Sequence, residues 1–433
     1  MRVLHVIHDY LPRHRAGSEL YVQALCRAQR PRHEVRVLCA EYDTRRRHGS
    51  LSERLHDGVE VIELVNNWRF RSFEESWRSP EVGAALAEAL DRARPEVVHV
   101  HNLLDLSLEL PALARARGAA VVATLHDYTP FCPSGGQRVH VAEEHVCRTI
   151  DVERCARCFA GSVWSARMSR GIRGWLERIL RRSSGARPEP EQLAARLEAA
   201  RRALEAFDVL VAPSKSLAAE YAALGAPRER IEVSDYGLPP LAAERSTGRG
   251  ERLRIGYVGT PIWHKGVHVL LEAAAGLPDG RWDLDVWGDT SVAPAYSRRL
   301  RRRAEGLPVR FRGAFGSGEA NDVYAALDVL VVPSLWLENS PLVVHEAFLA
   351  GVPVVAARIG GLADLVEHER SGLLYEPASP AALRAALLRC IREPGLLERL
   401  AAARPAVDTI AADAERWDRR YARAVQRGGG GAG

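Results

Sequence analysis

A chain of 433 residues, 47% apolar and 27% charged, has the make-up of a globular protein and is long enough for two cores rather than one. Its 60 Lys plus Arg against 55 Asp plus Glu are too evenly balanced and too scattered to point to nucleic acid as a partner. No apolar run reaches the roughly 20 residues that cross a bilayer; the opening stretch MRVLHVIHDYLP lacks the apolar core and cleavage site of a secretory signal, and seven sparse cysteines make no disulfide framework, so a cytoplasmic protein is expected.

In chain order, short β-branched runs predict strands at 3–7, 34–39, 59–64, 97–100, 119–125, 208–212 and 231–234, with helical patterns between most of them. Such alternation means βαβ units and a mostly parallel sheet. The runs are nearly continuous in apolar residues, as strands covered on both faces are. Residues 132–190 break the pattern and read as an insertion. The stretch 236–251, YGLPPLAAERSTGRGE, lacks periodicity and reads as a linker. Alternation then restarts, with strands predicted at 253–258, 284–287, 309–312, 328–332, 354–356 and 372–375. DVLVAPS at 208–214 and DVLVVPS at 328–334 echo each other, which suits two related halves. The expected division is therefore 1–240 and 241–405, then a C-terminal helix within 406–426 and a disordered Gly-rich tail at 427–433. Ligands of open α/β sheets bind at the carboxyl ends of the strands, so the chemistry belongs in the loops just after them.

Two such loops stand out. In GTPIWHKGVHVLLEA, Gly259 ends a strand, Thr260 follows, and Lys265 sits at a helix entrance. Of the basic residues only Lys215 and Lys265 are Lys and 58 are Arg, so a retained Lys marks a place where a compact ammonium is needed, or simply survives. An ammonium beside a helix N-terminus suits a phosphate; the alternative is a solvated surface Lys. In WLENSPLVVHEAFLAG, Glu338 and Glu346 stand eight apart, one before the helix and one on it. Ionised carboxylates are pure acceptors and hold hydroxyls. The plainer reading is one capping and one surface Glu. His126, in TLHDY at a strand end, is either functional or a polar residue satisfied by its neighbours. His101 and Asn102 follow another strand end and are expected on an acceptor side.

The run of HKG after GYVG, then ENSPLVVHEAFLAGVPVVA and IGGLADLVEHERSGLLYEP, resembles the retaining glycosyltransferases of family GT4, most strongly over 255–377. The resemblance implies the α/β GT-B fold, two facing Rossmann-like domains with a cleft between them. It implies that Glu346 binds the ribose hydroxyls of a nucleotide and that Glu338 contacts the donor sugar. Lys265 would neutralise the diphosphate, and Gly259, Thr260, Ser340 and the amides near Leu342 and Val343 would line the donor site. His126 would lie near the donor sugar, and Gly17, in HRAGSELYV, near the diphosphate. Two positions depart from the pattern: Thr260, where many relatives carry Arg, and Ala16 in place of the first glycine of a Gly-Gly pair. Leaving-group stabilisation then rests on Lys265, on helix N-termini or on an Arg from elsewhere. No D-x-D motif of the metal-dependent type is read, so metal-independent retention is expected, with no cofactor for catalysis.

Cys132, Cys147, Cys155 and Cys158 form C-x14-C-x7-C-x2-C inside the insertion. Four thiolates suit tetrahedral zinc as a structural brace, while reduced unligated thiols are the alternative. Cys26, Cys39 and Cys390 read as core. The segment 164–182 has one apolar face with Trp and a basic remainder, which suits either packing on the protein or an anionic membrane surface. The expected partners are a nucleoside-diphosphate sugar and a glycan, lipid-linked or small-molecule acceptor of bacterial polysaccharide or glycoconjugate assembly. A nucleotide-sugar epimerase and a degenerate nucleotide-sugar-binding protein are the competing readings.

Overall fold

The computed structural model describes residues 1–168, 187–241 and 251–429. Its contacts divide the chain into two units: Met1–Tyr236 together with the chain from Ile410 onward, and Gly237–Thr409.

The first unit holds β1 (Arg2–Ile7), β2 (Glu34–Glu41), β3 (Leu51–His56), β4 (Val59–Val65), β5 (Val97–Val100) and β6 (Ala120–Thr124). A two-stranded ribbon, β7 (Val139–His140) with β8 (His145–Val146), precedes β9 (Val209–Ala212) and β10 (Ile231–Val233). The main sheet runs β10-β9-β6-β5-β1-β2-β4-β3. Every pairing in it is parallel except the β3–β4 hairpin. β3 is the strand the sequence reading missed. Its residues LSERLH alternate between half-buried and exposed, because an edge strand covers one face only and carries no apolar run.

The second unit holds β11 (Leu253–Val258), β12 (Trp282–Trp287), β13 (Val309–Gly313), β14 (Val329–Val332), β15 (Val354–Ala357) and β16 (Gly372–Tyr375). They form one sheet, β13-β12-β11-β14-β15-β16, parallel throughout. All six lie where the alternation places them. Two of its inner strands, β14 and β15, are buried along their whole length, which is why they read as plain apolar runs.

The chain enters the second unit at Gly237 and leaves it at Thr409, and there the Leu238 N–H bonds the Asp408 carbonyl at 2.9 Å. Residues 242–250 of the expected linker lie outside the described residues. The C-terminal helix Ile410–Gly429 belongs to the first unit, where Trp417 and Tyr421 are among the largest fully buried side chains. Tyr21 donates to Asp413 at 2.9 Å and accepts from the Trp417 indole at 3.1 Å. The helix carries on through Gly429, so residues 427–429 of the expected disordered tail are helical, and 430–433 lie outside the described residues. Helix propensity of Tyr-Ala-Arg-Ala-Val-Gln-Arg carries the helix to its glycines.

The insertion contains the ribbon and helices Val152–Ala160 and Val163–Met168. Asp151 caps the first of these, and Phe159 packs edge-on against Phe73 with ring centroids 4.9 Å apart. Beyond Met168, the expected basic helix over 164–182 lies outside the described residues.

Candidate functional site

The second unit builds its site on the loops after β11 and β14. Gly266 has φ +73°, and a Cβ there would overlap the Pro333 carbonyl oxygen. The turn Trp263–Lys265 therefore lies directly against the end of β14, and only glycine permits that approach. This brings Lys265 to Glu338: its Nζ donates to Oε1 at 2.7 Å, while Ser334 Oγ donates to the same oxygen at 2.5 Å. The ammonium also stands 5.1 Å from the centre of the Trp336 ring. Glu338 is only 4% exposed, so its charge depends on these partners.

The two echoing motifs separate here. Ser214, ending DVLVAPS, caps helix Lys215–Ala223 by accepting from the Leu217 N–H, and Lys215 is exposed. Ser334, ending DVLVVPS, turns instead to Glu338. The same strand-and-serine unit thus serves a helix in one half and a carboxylate in the other.

Behind Glu338 lies the IGG turn. The Gly361 N–H bonds the Glu338 carbonyl at 2.6 Å, and a Cβ on Gly361 would overlap the Asn339 carbonyl oxygen. Helix Leu342–Leu349 starts at Pro341, whose carbonyl takes the Val344 N–H at 3.0 Å, and the amides of Leu342 and Val343 before it have no intrahelical partners. Ser340 and His345 are buried and bonded at 2.8 Å. Glu346 accepts from the Tyr324 hydroxyl at 2.6 Å; burial raises its carboxyl above the usual range, and this bond opposes the rise. Gly259 has φ +142°, and the Thr260 carbonyl accepts from Tyr257 at 3.1 Å. The D-x-D spelling Asp283–Asp285 lies inside β12, where Asp285 pairs with Arg310 and Arg312 at 2.7 and 3.0 Å and Asp283 with Arg252 at 3.0 Å.

In the first unit, Gly17 is exposed at the start of helix Gly17–Gln29, and Glu19 accepts from the Ala16 N–H at 2.8 Å. His126 follows β6, with Nε2 3.1 Å from His101 Nδ1 and Nδ1 2.9 Å from the Tyr236 hydroxyl. His101 is 3% exposed, and its Nε2 lies 3.0 Å from His5 Nδ1. His5 Nε2 in turn lies 3.0 Å from Gln29 Oε1. Burial lowers His126 to about 3 and His5 to about 4. Asn102 donates to Asp127 at 2.6 Å. His101 and Asn102 thus point into the unit rather than lining an open surface. The sequence reading missed His5 and Tyr236. His5 sits inside a strand and Tyr236 in a loop, and only the β1–β5 pairing, which sets His5 opposite His99, hints at the cluster.

Among the four insertion cysteines, burial first, and neighbouring thiols after it, push Cys155 up to about 12 and raise Cys147; burial pushes Cys158 up to about 11 against a hydrogen bond with Ser134. No three of their sulfurs lie within 4.8 Å of one another, and among the described residues only His5, His99 and His101 bring ligand atoms that close. Cys26, Cys39 and Cys390 are buried, as expected of core residues.

Residues 15–238 match the family model Glycosyltransferase Family 4, and residues 252–393 match Glycosyl transferases group 1. The chain belongs to glycosyltransferase family 4. It is 32% identical over 235 residues to a D-inositol 3-phosphate glycosyltransferase of Xylanimonas cellulosilytica, across 50% of this chain and 55% of that one. It is 35% identical over 171 residues to a glycogen synthase of Thermus thermophilus, across 39% and 38%. The matched stretch spans about half the length, or less, of these curated relatives. Among solved structures, Anabaena HepE in complex with UDP and glucose superposes with a TM-score of 0.62 at 17% identity, over 99% of this chain and 98% of that one. Sucrose-phosphate synthase of Thermosynechococcus elongatus gives 0.67 at 18% identity, over 97% and 98%. These likenesses establish the GT-B fold of this family 4 member, whose described helices include none long and apolar enough to cross a membrane.

Proposed function

We propose that the protein transfers a sugar from a nucleoside-diphosphate sugar to an acceptor, with retention and without a catalytic metal. The observation that carries this is the Lys265–Glu338 pair beside the free amides of helix Leu342–Leu349. A cation, a buried acceptor and a helix N-terminus at one place match the parts of a sugar diphosphate. Without donor, the ammonium neutralises Glu338. When a diphosphate takes the ammonium, Glu338 is released to accept from sugar hydroxyls, and Glu346 accepts from the ribose. Negative charge growing on the leaving phosphate then meets positive charge already in place, which lowers the barrier without reorganisation. The departing phosphate takes the acceptor hydroxyl proton, and the acceptor attacks from the face the leaving group vacates. Arg310 and Arg312 occupy the aspartate of the D-x-D spelling that a metal would use, which supports the metal-free reading. HepE, solved with UDP and with UDP-glucose, supports a nucleotide-sugar donor, and the relatives' names support transfer over isomerisation.

Calorimetry with UDP tests the ribose role. Glu346→Ala is expected to weaken binding by about 10-fold to 100-fold, since hydrogen bonds to charged groups are worth ~1.5–3 kcal/mol. Lys265→Ala is expected to slow turnover on the order of 100-fold, as loss of one fixed transition-state charge does. Unchanged UDP affinity in Glu346→Ala would overturn the assignment. The insertion cysteines are proposed as a structural zinc site whose sulfurs close up on metal; purified protein that is folded and metal-free would end that proposal. Membrane contact through 164–182 is proposed on its composition and tested by co-flotation with anionic vesicles.

A further inference from the structure

Beside the Lys265–Glu338 pair stand three buried polar atoms with no hydrogen-bond partner among the described residues. His264, the residue before Lys265, is 2% exposed, and both of its ring nitrogens are unpaired. Trp336, two positions before Glu338, is buried as well, and its indole Nε1 is the third such atom. The two rings meet edge to face, with centroids 5.7 Å apart and planes at 75°. The backbone beneath them is fixed: the His264 carbonyl accepts from the Leu335 N–H at 2.8 Å, and Gly266 sets the same turn against Pro333. The side-chain donors of this region, Ser334 and Lys265, both go to Glu338 Oε1. Buried polar groups are nearly always paired, so three unpaired atoms at one place point to a partner that comes from outside the chain.

These atoms define what the partner must offer. Burial first, and the Lys265 ammonium after it, lower His264 to about 3, so at pH 7 the ring is neutral, with one N–H and one lone pair. The indole adds a second N–H. An ionised phosphate or carboxylate oxygen only accepts and would leave the imidazole lone pair unmet. A sugar hydroxyl accepts from an N–H and donates to a lone pair, so it satisfies both kinds of atom. Resting on the donor reading above, we propose that His264 is a specificity-determining residue whose imidazole, together with the Trp336 indole N–H, holds a hydroxyl of the donor sugar. Before donor binds, the Lys265 ammonium stands 5.1 Å from the centre of the Trp336 ring and is tied to Glu338. A diphosphate that draws the ammonium away releases Glu338 and opens the two rings to the sugar in the same movement. Sugar recognition then follows diphosphate binding rather than preceding it.

The test compares wild type with His264→Phe, which keeps a ring and removes its polar atoms. Calorimetry is run with UDP, UDP-glucose and UDP-galactose, and with GDP and GDP-mannose. For the sugar nucleotide that wild type binds best, affinity relative to its bare nucleotide is expected to fall about 10-fold in the variant, as loss of one or two neutral hydrogen bonds gives, with bare-nucleotide affinity within about twofold. The variant is expected to melt no lower than wild type, because it buries no unpaired nitrogen. In wild type labelled with 15N-histidine, the His264 ring signals, assigned by their loss in the variant, are expected to move with that sugar nucleotide and not with its bare nucleotide. An unchanged affinity ratio, or His264 signals that move equally with the bare nucleotide, would overturn the proposal. So would a variant that melts well below wild type or fails to fold, since the nitrogens would then already be satisfied, as by a buried water. Wild type that binds neither UDP nor GDP would overturn the donor reading itself, whereas nucleotide binding with an unchanged ratio would overturn the role of His264 alone.

Discussion

At the scale of single residues, the site of the second unit depends on glycines that let backbones touch. Gly361 lies against Asn339 and Gly360 (φ +51°) against the Glu338 backbone, so the turn that carries the glutamate rests on two missing side chains. Gly361→Ala must push residues 338–339 away. It is expected to cost about 1–3 kcal/mol of stability, the usual result of forcing atoms into a packed site. It should also lower UDP-sugar turnover well beyond what the stability loss explains. Thermal melting beside turnover measures both, and a variant with wild-type melting and turnover would contradict this contact. Glu338 itself was legible as half of an E-x7-E pattern. Its pairing with Lys265 was not, because the two are 73 positions apart and only the glycine-mediated contact of two loops joins them.

Among elements, the C-terminal helix has the largest consequence. Its sequence announces a helix but not what it covers. In the fold it shields the first helix and β6, with Trp417 over the His99 ring at 4.0 Å between centroids and Tyr421 bonded to His99. Arg420 and Arg423 reach Glu232, just after the start of β10. Trp417→Ala is expected to destabilise the first unit by about 3–5 kcal/mol, as large aromatic truncations in cores do. Chemical denaturation followed by tryptophan fluorescence and by circular dichroism would read this; a loss under 1 kcal/mol would mean that the helix is peripheral. β3 shows the opposite case. A half-exposed edge strand gives little apolar signal, and its existence depends on β4 beside it.

For the whole molecule, the buried histidines tie stability to pH. His5 and His126 are lowered to about 4 and about 3, and His99 and His101 well below the ordinary 6.5, in each case by burial before any other cause. The unfolded chain therefore binds more protons than the folded one below pH 6.5. Stability from these groups is full above that value and is lost as pH falls through it toward 4, at up to about 1.4 kcal/mol per pH unit for each histidine. The melting temperature is expected to be level between pH 7 and 8 and to drop between 6.5 and 5, before ordinary carboxylates titrate. A level melting temperature down to pH 5 would refute it. The discontinuous first unit adds a second expectation. Residues 237–409 have their own sheet and core and should fold alone, whereas 1–236 should not fold without the chain from Ile410 onward. Circular dichroism and thermal melting of the two fragments would show this.

The sequence by itself determined the alternation of strands and helices, the restart near residue 253, and the loops in which Lys265, Glu338, Glu346 and His126 stand. Those features are local: burial on both faces writes itself as apolar runs, and turns as glycine and proline. Tertiary structure alone decided that Ser214 caps a helix while Ser334 holds a carboxylate, that the last helix completes the first unit, and that five residues from five separate segments form one hydrogen-bonded chain. Each of these rests on contacts between residues far apart in the chain, and no local periodicity encodes such a contact.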